Sequence, residues 1–221
     1  MKIEIGESLA YSWLRHIKGC QLVQTNWKVS SEWDGFDCEG ELGDLIGKVA
    51  EKFGGIENVF GNICSKNPAD QIIKQAESDV FGIHFEGDTC TYYMVEVAYH
   101  KDGLLYETAE KTALKIVEKI VRSAMCLRRY FHTKKGTIVF ISPKVGKTTK
   151  DTIVGKVNAL REVFNDDELG YSFDIQLYFN EDFRTSVLEP VLNVSEKVND
   201  TSELFMRSYQ LWDLCKKKNE G

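Results

Sequence analysis

Residues 78–100 read SDVFGIHFEGDTCTYYMVEVAYH, a pattern typical of two paired strands. Ser78 to Phe85 predicts the first strand, and Glu86 to Asp88 predicts a turn. Thr89 to His100 is rich in aromatic and β-branched residues, which favour the second strand. The middle of the chain is therefore predicted to form a β-hairpin.

Helical and extended patterns surround this hairpin on both sides. Residues 20–28 alternate weakly, which fits either a short strand or an extended arm. The apolar periodicity predicts helices over residues 7–18, 42–53, 68–76, 106–131 and 148–164. It predicts strands over residues 137–142 and 173–179. Residues 182–218 are predicted to be helical, with a break near Pro190. This order implies an α/β fold, in which helices flank a mixed central β-sheet.

Composition narrows the class of protein. The 221 residues carry a net charge of -6, whereas proteins that coat DNA without specificity are usually basic. No apolar run is long enough to span a membrane, and no targeting segment is visible. The six cysteines form no CxxC pair, which fits reduced thiols and a cytoplasmic location. Only three prolines occur and no linker divides the chain, so residues 1–221 are expected to form a single domain.

Three acidic residues are the candidates for chemistry. Asp79 begins the first hairpin strand, Glu96 interrupts the apolar run of the second strand, and Glu7 begins the first helix. An unpaired carboxylate is costly to bury, and a bound Mg²⁺ is one reason to retain it. Each residue also has a structural alternative: a turn acid at Asp79, a solvent-facing side chain at Glu96, and a favourable helix-dipole position at Glu7.

The segment from Gly6 to Ser142 resembles the PD-(D/E)XK nuclease superfamily, through Asp79, the turn, Glu96-Val97-Ala98 and the long helix that follows. The resemblance implies a restriction-endonuclease-like core of order α-β-β-β-α-β over about residues 6–180, with a helical C-terminal extension over about 181–221. It also implies that Glu7, Asp79 and Glu96 ligate Mg²⁺ or Mn²⁺. The predicted meander is one strand short of that family's three.

The sequence departs from the family at one catalytic position. The family's motif has a lysine two residues after the glutamate, where this chain has Ala98. His100 would lie on the same strand face as Glu96, because side chains alternate along a strand. Lys101, Lys111 and Lys115 are further substitutes, since the lysine has migrated to the next helix in some members of the superfamily. His100 and Lys115 are the preferred candidates.

These observations predict a metal-dependent phosphodiesterase that acts on nucleic acid, with DNA favoured over RNA. An alternative is a nuclease-like fold without catalysis that serves as a binding or assembly module, which Ala98 and the acidic net charge favour. A third is an α/β enzyme that uses the same acids on a different phosphoryl substrate. A homodimer or a separate partner protein is compatible with each of them.

Overall fold

A computed structural model describes residues 4–30, 32–61, 68–199 and 201–217 of the chain. Its centre is a five-stranded sheet in the order β1-β2-β3-β4-β5. The strands are β1 (Leu22–Lys28), β2 (Glu77–Glu86), β3 (Thr89–Val97), β4 (Lys135–Ser142) and β5 (Ser172–Phe179). The pairs β1-β2 and β2-β3 are antiparallel, whereas β3-β4 and β4-β5 are parallel. The predicted mixed α/β sheet is confirmed, and the weak pattern at residues 20–28 is a strand of that sheet.

The helices connect these strands and cover both faces of the sheet. They are α1 (Ile5–His16), α2 (Glu39–Phe53), α3 (Ile56–Phe60), α4 (Pro68–Lys74), α5 (Ala109–Phe131), α6 (Lys147–Phe164), α7 (Glu181–Phe183), a π-helical segment (Arg184–Leu188), α8 (Glu189–Ser195) and α9 (Leu204–Lys217). None of the helices in the described ranges combines the length and the apolarity that a bilayer crossing requires.

Two hydrophobic clusters form on opposite faces of the sheet. Because side chains alternate along each strand, Phe81 and Met94 enter one cluster while Val80 and Val95 enter the other. The first cluster includes α2, α5 and α6, and the second includes α1, α8 and α9. β4 lies between them with six consecutive buried residues, as its apolar sequence predicts for a strand covered on both faces.

The C-terminal segment is part of this layered structure. Val187, Val191 and Met206 are fully buried in the cluster that α1 also joins. The predicted break near Pro190 is a change of helix type, because the π-helical segment ends at Leu188 and Pro190 lies in the first turn of α8, which continues the same helical run. The helical path ends instead at Ser195 and resumes at Leu204. Residues 181–217 thus supply helices to one covering layer.

Two predicted boundaries next to the hairpin also change. β3 ends at Val97 and does not reach His100. Beyond it, the Ala98 amide still donates to Ile141 O at 2.9 Å, and the chain then turns so that the Gly103 amide donates to His100 O at 3.0 Å. Helix α5 begins at Ala109 because the Thr108 side chain accepts a hydrogen bond from the Lys111 amide and caps the helix.

Candidate active site

Asp79 and Glu96 lie at one end of the hairpin, on adjacent strands. Val80 pairs with Val95 across β2 and β3, so Asp79 and Glu96 each occupy the next position outward. By the alternation of each strand, both residues are on the same face as Phe81 and Met94, which is the face that α5 covers. The antiparallel register therefore brings two carboxylates, 17 positions apart in sequence, to one end of the sheet.

Glu96 is a buried carboxylate with one partner. Its side chain is only 2% exposed, and its Oε2 atom forms an ion pair with Lys119 Nζ. Its other oxygen, Oε1, is buried and has no hydrogen-bond partner among the residues that the structure describes. Burial, opposed in part by Lys119 and reinforced by Asp79, raises the pKa of Glu96 to about 7. The carboxylate therefore has an unused ligand atom and exchanges a proton near neutral pH.

Asp79 is held by the neighbouring strand. Its Oδ2 atom accepts a hydrogen bond of 2.7 Å from the Val97 amide, which anchors the carboxylate beside the end of β3. Burial raises the pKa of Asp79, while Lys119 and the Val97 amide act in the opposite direction. The charges of Glu77 and Glu4 also raise this pKa. Asp79 therefore lies among charges of both signs, those of Lys119 on one hand and of Glu77 and Glu4 on the other.

Lys119 is the cation at this site, and the sequence interpretation did not include it. It lies on α5, its side chain is 40% exposed, and its ammonium group pairs with Glu96. Burial acts to lower its pKa, but the charges of Glu96 and Asp79 outweigh burial and raise the pKa. No signal in the sequence indicated this choice, because Lys115 precedes the core residue Ile116 just as Lys119 precedes Ile120.

The preferred substitutes, His100 and Lys115, are both brought to Tyr106. The His100 Nε2 atom lies 3.4 Å from the Tyr106 hydroxyl, and Lys115 Nζ lies 4.9 Å from the centre of the Tyr106 ring. The expectation that His100 shares a strand face with Glu96 is wrong, because β3 ends before it. Lys111 forms an ion pair with Glu107. Lys119 is thus the lysine of α5 that directly contacts a strand carboxylate.

Glu7 lies on α1, the helix that covers the opposite face of the sheet. Its Oε2 atom accepts a hydrogen bond of 3.0 Å from Asn26 Nδ2, and its side chain also takes part in the N-terminal capping box of α1 with Glu4. Asn26 has a φ of 53°, a left-handed conformation that asparagine tolerates better than most residues. The structure therefore gives Glu7 a structural role, and its role as a ligand stays a prediction.

Asp79 and Glu96 give the site two carboxylates, which are too few for a closed metal cage. Within the described ranges, no group of three or more His, Cys, Asp or Glu side chains is arranged to hold a metal ion. Mg²⁺ often takes only one or two carboxylates, and water and phosphate oxygens complete its shell. Asp79 and Glu96, with the unpartnered Oε1 of Glu96, supply that minimal set.

No protein-family model matches the chain, and no curated protein and no solved structure shows significant similarity to it.

Proposed function

We propose that this protein is a divalent-metal-dependent phosphodiesterase that cleaves nucleic acid, with DNA as the favoured substrate. Asp79 and Glu96 would hold Mg²⁺ or Mn²⁺, and Lys119 would take the role of the lysine that Ala98 replaces. The single observation that carries the proposal is the contact between Lys119, on α5, and the buried carboxylate of Glu96.

The order of elements is a second support. With α2, α3 and α4 inserted after β1, the chain follows the order α1, β1, β2, β3, α5, β4. This is the α-β-β-β-α-β order that the resemblance to PD-(D/E)XK nucleases implies, now with three strands in the meander. The two carboxylates occupy β2 and β3, and the lysine comes from the crossover helix between the parallel strands β3 and β4.

Each residue has a chemical role that follows from its surroundings. A cation bound by the two carboxylates would lower the pKa of a bound water and neutralise charge on the scissile phosphate. Asp79 is oriented by the Val97 amide, which fixes one of its oxygens and leaves the other for a ligand. Lys119 has a partly exposed side chain and contacts Glu96, so its ammonium group would donate to a phosphate oxygen or orient the attacking water.

The second candidate is a nuclease-like fold that binds a partner without catalysis. The observation that favours it is that Lys119 already supplies a positive charge to Glu96, so that the pair is compensated without a metal. A buried ion pair of this kind can persist for structural reasons alone. The two candidate functions differ in their dependence on a divalent metal ion, because only the phosphodiesterase requires one for its activity.

Cleavage of plasmid, linear duplex and single-stranded DNA and of RNA, with Mg²⁺ or Mn²⁺, tests the proposal. We expect Glu96→Gln and Lys119→Met each to reduce the cleavage rate by about 10²-fold or more. Lys52→Met is a matched control, because Lys52 is 39% exposed and pairs with Glu162 away from the site. Folded wild-type protein that cleaves none of these substrates would shift the assignment to the binding module.

A further inference from the structure

The outer face of helix α9 is an apolar stripe. Leu204, Leu211, Leu214 and Trp212 are 46%, 66%, 65% and 56% exposed, although leucine and tryptophan usually bury most of their surface. Leu204, Leu211 and Leu214 recur at spacings of seven and three residues, which places them along one side of the helix, and Arg207 occupies the position between Leu204 and Leu211. Several large apolar side chains that are exposed together on one helix mark an interaction surface.

The inner side of α9 is firmly attached, so the stripe has a fixed orientation. Met206 is fully buried, and the Phe205 amide donates to Ser8 Oγ at 2.9 Å. Just before the helix, Glu203 accepts a hydrogen bond of 2.5 Å from Ser12 Oγ. Further along, Gln210 Nε2 donates to Ser195 O and Val198 O at 3.1 and 2.7 Å. Because these contacts hold α9 against α1 and α8, the stripe cannot turn inward to bury itself.

A groove runs beside the stripe, between the end of α8 and α9. Its volume is about 840 Å³, and Leu211 and Leu214 of the stripe form part of its wall together with Val198. Glu196 and Arg207 border the same groove, and neither forms an ion pair within the described residues. The surface therefore offers a ridge, an adjacent hollow, and exposed charges of both signs.

We propose that α9 is the contact surface for a second copy of this chain, in a two-fold symmetric dimer. A two-fold interface uses the same patch on both subunits, so the patch must be complementary to itself. The apolar stripe of one copy would lie along that of the other, and Arg207 of each would face Glu196 of the other. A surface with a ridge, a hollow and both charges meets this requirement, and the proposal does not depend on the nuclease assignment.

Sedimentation of the full chain over a range of concentrations tests the proposal. We expect a dimer in the wild type and a monomer in Leu211→Glu. In a two-fold interface this one substitution places two carboxylates in the contact, one from each copy. Leu105→Glu is the matched control, since Leu105 is 56% exposed and lies outside α9. Circular dichroism of each variant verifies that the fold is retained.

The charges provide a sharper test of the two-fold arrangement. Glu196→Arg and Arg207→Glu should each raise the dissociation constant of the dimer by about tenfold or more. The double variant should restore it, because both crosswise pairs return with their signs reversed. A wild-type chain that remains monomeric at about 100 µM overturns the dimer, and the stripe would then be a contact surface for a different protein. A double variant that is as weak as the single ones overturns the proposed pairing of the two copies.

Discussion

Replacing Glu96 by glutamine should change how the stability of the protein depends on pH. Burial raises the pKa of this carboxyl from 4.5 to about 7 in the folded state. As the pH rises from 4.5 towards 7, the unfolded chain therefore loses this proton before the folded chain does, and the free energy of unfolding falls. Above pH 7 both states are ionised, and the loss is complete. Glutamine has no such proton, so the variant should not show this contribution.

The expected size follows from the two pKa values. Each pH unit between them corresponds to about 1.4 kcal/mol, which gives a loss of about 3 kcal/mol in the wild type between pH 5 and pH 8. Glu96→Gln should therefore be close to the wild type in stability at pH 5 and more stable by up to about 3 kcal/mol at pH 8. Lys119 is 40% exposed, so its ammonium group can turn towards water when the partner charge is removed.

Urea unfolding of both proteins at pH 5, 6, 7 and 8 measures this difference. Glu86→Gln is a suitable control, because Glu86 is an exposed carboxylate at the end of β2, the other strand of the same hairpin. Its stability relative to the wild type should vary little over this range. If the difference between Glu96→Gln and the wild type were the same at pH 5 and pH 8, Glu96 would not be a buried group with a raised pKa.

Three further predictions concern the site and the sheet. Mg²⁺ should raise the melting temperature of the wild type more at pH 8 than at pH 6, because a metal binds the ionised carboxylates, and Asp79→Asn should remove the effect in a thermal shift assay. His100→Ala should reduce cleavage by about tenfold or less, whereas Lys119→Met should cause the larger loss, since the His100 ring contacts Tyr106; single-turnover rates measure both. Gly82→Ala should destabilise the fold by about 1–3 kcal/mol in urea unfolding, because the added Cβ would lie 2.9 Å from Leu14 Cδ1. Gly47→Ala is the control and should not destabilise the fold, because a Cβ at this position of α2 meets no atom within 4 Å.

The sequence alone determined the hairpin, the long amphipathic helix after it and the buried strand β4. These are local patterns: alternation and β-branched residues favour strands, and an apolar stripe of period 3.6 favours a helix. The same patterns indicated Asp79 and Glu96, because a carboxylate within an apolar strand is recognisable from its immediate neighbours. The predicted end of β3 at His100 was wrong. Residues 98–100 continue the strand-like sequence pattern, but β3 ends at Val97 and the chain then turns away from the sheet.

The tertiary structure decided which residues meet. The distance from Lys119 to Glu96 along the chain is 23 positions, and no local pattern distinguishes Lys119 from Lys111 or Lys115 on the same helix. The orientation of α5 on the sheet determines these contacts, because it places Lys119 at the carboxylate of Glu96 and Lys115 at the ring of Tyr106. Packing likewise made residues 181–217 a covering layer of the sheet and left the stripe of α9 exposed. Local sequence patterns determine which segments form helices and strands. Which side chains are buried, and which side chains contact each other, depends on how segments distant in sequence pack together.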